Sequence, residues 1–110
     1  MTGYYELKKA GTTGFMFNLK AGNHETILTS QTYTAKDGAK KGIASVQSNA
    51  PTENRYERKV AKDGTSYFVL SAANSEVIGT SEMYSSTSAR DKGIESAMAN
   101  GSTTTIKEVD

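Results

Sequence analysis

Laid over itself with a shift of 51 positions, the chain superposes without a gap, Tyr5 to Pro51 falling on Tyr56 to Ser102. Identical pairs run the length of the unit. They include Tyr5 and Tyr56, Glu6 and Glu57, Phe17 and Phe68, Leu19 and Leu70, Asn23 and Asn74, and Glu25 and Glu76. They continue through Ile27 and Ile78, Tyr33 and Tyr84, Lys41 and Lys92, Gly42 and Gly93, and Ser45 and Ser96. Self-similarity at this period means one supersecondary unit used twice, so both copies must fold alike. A chain of 110 residues supports a single core. The expected organisation is therefore one domain, residues 1–110, made of repeats at about 3–52 and 54–102 plus a C-terminal strand at 103–109.

Within a copy the first half alternates apolar and polar residues, as in Phe15-Met16-Phe17-Asn18-Leu19-Lys20, which predicts strands. Asp63-Gly64 supplies a tight turn at low conformational cost, and Gly11 to Gly14 occupies the matching place in copy one. Ala21 to His24 and Ala72 to Ser75 make a second turn before a third strand, at about Glu25–Ser30 and Glu76–Ser81. The period then becomes helical. Ala39, Gly42, Ile43 and Val46, and Ala89, Gly93, Ile94 and Ala97, mark the face that should lie on the sheet. Thr34 and Ser85 are the expected N-caps, and Asn49 before Ala50-Pro51 and Asn100-Gly101 the stops. Gly42 and Gly93 fall mid-helix, where glycine costs about 1 kcal/mol relative to Ala, so the helix backbone should approach the sheet closely there. The tail Thr103 to Val109 is β-branched and reads as one more strand.

The expected fold class is thus α+β: two tandem β-β-β-α-β repeats forming one mainly antiparallel sheet. Two helices cover one face, and the post-helix strands are exchanged between repeats, because a lone unit would leave apolar surface and a strand edge open.

Four motifs, each present twice, resemble the YegP-like family of small bacterial proteins. They are Tyr5-Glu6-Leu7-Lys8 and Tyr56-Glu57-Arg58-Lys59, Asn23-His24-Glu25-Thr26-Ile27 and Asn74-Ser75-Glu76-Val77-Ile78, Thr29-Ser30-Gln31-Thr32-Tyr33 and Thr80-Ser81-Glu82-Met83-Tyr84, and Gly42-Ile43 and Gly93-Ile94. The resemblance covers nearly the whole chain. It implies tandem β3-α-β units, or dimers of single units, building one sheet with exchanged C-terminal strands, and it brings no activity or functional residues with it. One departure stands out: after the turn Asn, where that pattern has Gly, this chain has His24 and Ser75.

Composition narrows the chemistry. Thirteen Lys and Arg against twelve Asp and Glu leave a net charge of +1, so no strong field favours nucleic acid or an anionic membrane. The absence of Cys removes disulfides, thiolate nucleophiles and sulfur-ligated metals. The longest apolar run, near Tyr67 to Leu70, is far below the roughly twenty residues a membrane span needs, and the start lacks signal-peptide character, so a cytoplasmic, membrane-free protein is expected.

No constellation amounts to a specific chemistry, and no catalytic residue, cofactor or metal site is assigned. The one His, His24, reads as an exposed turn residue without ligand partners at useful spacing. Glu25 and Glu76 read as solvated strand ends. Gly38-Ala39-Lys40-Lys41-Gly42 lacks phosphate-loop spacing and falls within the helix. Two candidate binding sets remain. One is a hydroxyl cluster at the sheet-to-helix junction, Thr29, Ser30, Tyr33, Thr80, Ser81 and Tyr84, which could hold an anion or simply cap strands and helices. The other is the sheet face away from the helices, with Met16, Tyr67 and Val69, which could bind a protein, a peptide or stacked bases, or be a plain outer face. The favoured expectation is a monomeric, non-catalytic binding or protein-interaction module of unknown partner that uses the open face of the sheet. Single-stranded nucleic-acid binding is the alternative, and an enzyme built from Tyr, Ser, Thr and Glu is the least favoured. Lys8, Lys20, Lys59 and Arg58 gathered on the open face would favour nucleic acid; scattered lysines would not.

Overall fold

The structure, a computed structural model, describes residues 3–109. Each repeat gives three strands and a helix: β1 Tyr4–Ala10, β2 Gly14–Lys20, β3 Thr26–Thr29 and α1 Lys36–Asn49, then β4 Tyr56–Val60, β5 Ser66–Ser71, β6 Val77–Ser81 and α2 Thr87–Asn100. A short 3₁₀ turn, Glu53–Arg55, leads into β4, and β7, Ile106–Val109, follows α2. All seven strands form one sheet in the order β4-β5-β6-β3-β2-β1-β7. Neighbours are antiparallel except β7, which runs parallel to β1. The exchange is real in both directions. The strand after α1 is β4, which pairs with β5 of the second repeat, and the strand after α2 is β7, which pairs with β1 of the first.

The repeats meet at β3 and β6, where Thr29 pairs with Thr80 and Leu28 with Ser81. A pseudo-twofold axis passes through this seam. Register shifts at Leu19/Lys20 and Leu70/Ser71 insert one extra residue in each third strand, and so Ile27 and Leu28 in succession are buried, as are Ile78 and Gly79. Beneath the helices lies one core, with Tyr5, Phe17, Leu19, Leu28, Phe68 and Leu70 fully closed off. Each such side chain contributes about 1.5–3 kcal/mol by leaving water.

Each helix crosses from its own second strand toward the other repeat: α1 packs on β2 and reaches β6 and β5, while α2 packs on β5 and reaches β3 and β2. In α1 the inward face is the expected Ala39, Gly42, Ile43 and Val46. In α2 it is Arg90, Gly93, Ile94 and Ala97, so Arg90 takes the inward place that periodicity had given to Ala89. The N-caps also shift by one residue. Ser86 Oγ accepts the Ala89 N–H at 3.0 Å, whereas Ala35 caps α1 without a side-chain bond; Thr34 and Ser85 stand one position too early. The helices end as expected, at Asn49 and Asn100. Close approach at the mid-helix glycines is present, but aromatic rings make it rather than sheet backbone. A Cβ on Gly42 would collide with the Tyr33 hydroxyl, and one on Gly93 with that of Tyr84. Those rings stack on Phe17 and Phe68 at interplanar angles of 13° and 11°.

The helix C-termini converge on the axis. There the Tyr5 hydroxyl donates to the carbonyl of Gly101 at 2.5 Å, and the Tyr56 hydroxyl donates to that of Ala50 at 2.7 Å. Each bond joins the first strand of one repeat to the helix end of the other. Burial raises both phenol pKa values well above the ordinary range, and for Tyr5 the nearby Tyr56 adds to the effect.

Where packing across the axis is tight the repeats differ, because a larger side chain would meet its own copy, whereas Thr29 and Thr80 pair directly on the face without helices and stay identical. Leu28 faces Gly79, where a Cβ would touch Leu28 Cδ1 at 3.3 Å, and Ala50 faces Gly101, where a Cβ would overlap that of Ala50. Gly101 has φ −64, so closeness and not backbone conformation demands glycine there. The sheet edges differ too. Beside β7, Leu7 is 2 % exposed, and Glu108 reaches back to Lys36 of α1 at 2.8 Å. At the other edge nothing covers β4 among the described residues, and the Leu7 place holds Arg58, bonded to Asp91 at 2.9 Å. An arginine at an open strand edge is tolerated by water and discourages edge-to-edge pairing.

Four outcomes are expected. Gly101→Ala should cost about 1–3 kcal/mol of unfolding free energy in urea titration through overpacking, and adding Ala50→Gly should recover most of it. The intact chain should show a monomer mass by light scattering. Deleting residues from Ile106 onward should lower Tm and cause concentration-dependent association, which adding Leu7→Arg suppresses without restoring Tm. For the tyrosines, folding must keep the proton on. Their contribution is therefore complete below the unfolded-state pKa of about 10 and is lost as pH rises above it. Tyr5→Phe/Tyr56→Phe should be less stable at neutral pH, since two buried carbonyls lose their donors, yet should lose less further stability between about pH 9 and 11.

Candidate functional site

The hydroxyl cluster does not converge on one site. Ser30 Oγ accepts the Phe17 N–H at 2.9 Å and donates to the Gln31 carbonyl at 2.7 Å; Ser81 repeats this with Phe68 and Glu82. Both are committed to the backbone. Thr29 and Thr80 sit side by side at the seam on the face without helices, and Thr29 Oγ1 accepts from Asn18 Nδ2 at 2.9 Å. Tyr33 and Tyr84 lie on the opposite face, against the helix glycines.

The open face carries a mixture of charge and small apolar groups. Met16 and Tyr67 are half-buried, and they stand on β2 and β5, three strand spacings apart across the seam and offset in opposite directions along it. Val69 is 5 % exposed and offers little surface. Strand alternation puts Lys8, Lys20 and Lys59 on this face, each beside a glutamate: Lys8–Glu6 at 3.8 Å, Lys20–Glu6 at 3.5 Å and Lys59–Glu57 at 3.4 Å. Arg58 lies on the helix side, with Asp91. A shallow trough of about 420 Å³ follows the β3–β6 seam, lined by Thr29, Gln31, Val77, Thr80 and Glu82 among others.

His24 is exposed, as expected of a turn residue, and its Nδ1 lies 2.8 Å from the Tyr4 hydroxyl. Its φ is 71°, and Ser75 has φ 72°. Both occupy the left-handed region that glycine enters without cost, which explains why glycine suits this turn position. Asn23 and Asn74 set the turns up, their Oδ1 atoms accepting the N–H of Glu25 and Glu76 at 3.1 Å.

A more definite site lies between the repeats. The β2–β3 turn of the first repeat and α2 of the second enclose an open-sided groove of about 370 Å³. Its floor is Ala21, Ile27 and the bare backbone at Gly93. Its polar groups are Glu25, Tyr84, Lys92 and Ser96, with Asn23 at the rim. Burial raises the Tyr84 pKa, and the carboxylates of Glu82 and Glu25 add to the rise. The Glu25 carboxylate accepts from Asn23 Nδ2 at 2.8 Å. Among the described residues neither Lys92 nor the Tyr84 hydroxyl has a hydrogen-bond or ion-pair partner. Ala89, Lys92, Gly93 and Ser96 form one stripe of α2 at three- and four-residue spacing, which aims them together at the turn. The matching stripe of α1 is Gly38, Lys41, Gly42 and Ser45. Sequence reasoning recorded Lys41/Lys92 and Ser45/Ser96 as repeat identities but gave them no site, since nothing in the linear order shows that a helix faces the other copy's turn.

Among the described residues no group of three or more His, Asp or Glu could hold a metal ion, and no helix is long and apolar enough to cross a membrane.

Comparison with known proteins accords with this architecture. A family model described as a domain of unknown function, DUF1508, matches twice, over residues 12–57 and 61–108, each match running from the β1–β2 or β4–β5 hairpin through the helix into the exchanged strand. A UPF0339 protein of Shewanella oneidensis is 60 % identical over 99 % of both chains. The UPF0339 protein YegP of Escherichia coli K12 is 54 % identical over 98 % of both. The solution NMR structure of a Shewanella oneidensis UPF0339 protein has a TM-score of 0.91, covering 98 % of this chain and 92 % of that one. That of E. coli YegP, described as a protein of unknown function, has a TM-score of 0.92 over 98 % and 93 %. Two matched repeats and full-length identities above one half leave one assignment: the chain belongs to the UPF0339 family, built from two DUF1508 domains.

Proposed function

We propose that this protein is a monomeric, non-catalytic binding module whose ligand is held in the grooves between the repeats. One observation carries the reading. Among the identical pairs of the two repeats, three are exposed in both copies: Asn23/Asn74, Glu25/Glu76 and Lys41/Lys92. All three belong to this groove or to its counterpart across the pseudo-twofold axis. Identity at buried positions follows from shared packing. An exposed lysine or glutamate has no such reason to match after the two copies have diverged over most of their surface, and a shared binding task supplies one. A groove whose polar residues recur at the symmetry-related positions, with no catalytic set in it, makes binding without chemistry the simplest reading.

The open sheet face is the second reading, favoured by the trough over Thr29 and Thr80 and by the accessible sides of Met16 and Tyr67. A protein or peptide fits such a face better than nucleic acid does, because glutamates accompany its lysines.

Titrating the ¹⁵N-labelled chain with the small-molecule fraction of its native cell lysate separates these. Chemical-shift changes should gather at Glu25, Lys92 and Gly93 and at Glu76, Lys41 and Gly42. Tyr67→Ala should fold normally and respond in the same way. Shifts gathered instead on Met16, Tyr67 and Thr80, and lost in Tyr67→Ala, would move the function to the open face.

A further inference from the structure

We infer that each inter-repeat groove takes a small zwitterion of the α-amino-acid class, its carboxylate on the Lys92 side and its ammonium on Glu25. The inference rests on the groove reading above and names its ligand. The groove brings opposite charges to one cavity from two parts of the chain, Glu25 from the first repeat and Lys92 from the second, and leaves them unpaired with each other. Two opposite charges that face one cavity without meeting suit a ligand that carries both signs and bridges them. An anion alone would face the Glu25 carboxylate, and a cation alone the Lys92 ammonium.

The remaining groups fit the same ligand. Ser96 stands one helical turn beyond Lys92, and Tyr84 Oη is without a partner among the described residues, so hydroxyl donors flank the cation where a carboxylate would rest. Gly93 contributes backbone where a side chain would already meet the Tyr84 ring, and Ala21, Ile27 and Ala89 offer an apolar wall to a short side chain. The volume of about 370 Å³ lies at the lower end of the range for small-ligand sites, about 300–1,000 Å³, too small for a folded partner. The pseudo-twofold relation supplies the same polar set again, with Tyr33, Lys41 and Ser45 from the first repeat and Asn74 and Glu76 from the second. Two ligands per chain are expected.

The test uses the full ¹⁵N-labelled chain and three sets of probes: free L-amino acids, their C-terminal amides, and their N-acetyl derivatives. Free amino acids should shift the amides of Glu25, Lys92 and Gly93 together with those of Glu76, Lys41 and Gly42. Loss of either charge, in the amide or the N-acetyl form, should weaken binding at least about tenfold. Lys92→Gln and Glu25→Gln should each silence one groove and leave the other responding, so the second groove reports that the variant is folded. Derivatives that bind as tightly as the free acids would overturn the zwitterion. So would shifts confined to the open face, or an absence of shifts with every probe up to about 50 mM. If the lysate fraction moves the groove resonances while no amino acid does, the ligand class is wrong and the binding-module reading stands.

Discussion

Two helix C-termini, each carrying the negative end of a peptide dipole and carbonyls without intrahelical donors, are brought together at the centre of this molecule. Juxtaposing them would be costly in a dry interior. Two phenols resolve the conflict, Tyr5 donating to Gly101 and Tyr56 to Ala50. Because each tyrosine stands on the first strand of one repeat and bonds the helix of the other, neither repeat can satisfy its own helix end. The strand exchange, the order of the sheet and the crossing of the helices all follow from geometry that keeps these reciprocal bonds in place. The same dependence explains why the phenols are held in their neutral form by burial.

Pseudo-symmetry then sets where the repeats can agree and where they must differ. Away from the axis, identical residues do identical work, as in the stacks of Tyr33 on Phe17 and Tyr84 on Phe68. In the packed layer beneath the helices a residue near the axis meets its own counterpart, and large faces small: Leu28 with Gly79, Ala50 with Gly101, while Thr29 and Thr80 on the open face pair unchanged. The edges obey a different rule, because β7 covers one and not the other. Leu7 is buried beneath the covered side while Arg58 and Asp91 form an ion pair at the open one. Inside the edges the repeats also differ, Phe15 and Ala39 in the first becoming Ser66 and a buried Arg90 in the second. Exposed ion pairs of this kind add little stability, and their value lies in keeping the edge unattractive to another strand.

The crossing that closes the core also creates the inter-repeat grooves. Since α2 lies over β3, the turn before β3 faces a helix distant in sequence, and functional groups separated by dozens of residues share one cavity. The grooves therefore need both repeats and would not form on a single copy. They place groups of both charges on an apolar floor, whereas the open sheet face offers charges already accompanied by opposite ones.

Local sequence carries the duplication, the strand and helix order, the inward faces of Phe17, Leu19, Ile43 and Ile94, and the helix stops, because periodicity and turn chemistry are local and are each written twice. It erred by one position at the caps and at Ala89, where local propensity could not weigh Ser86 against Ser85 or see that an arginine at position 90 is buried. Tertiary structure alone decided what depends on contacts across the axis: which strands neighbour each other, which tyrosine bonds which helix end, and that Glu25 and Lys92 line one groove. It also separated residues that adjacency had grouped, sending Ser30 into the backbone network, Thr29 to the open face and Tyr33 to the helix. Neighbouring residues on a strand point to opposite faces, so closeness along the chain carries little about closeness at a site, whereas packing of one repeat on the other brings distant charges together.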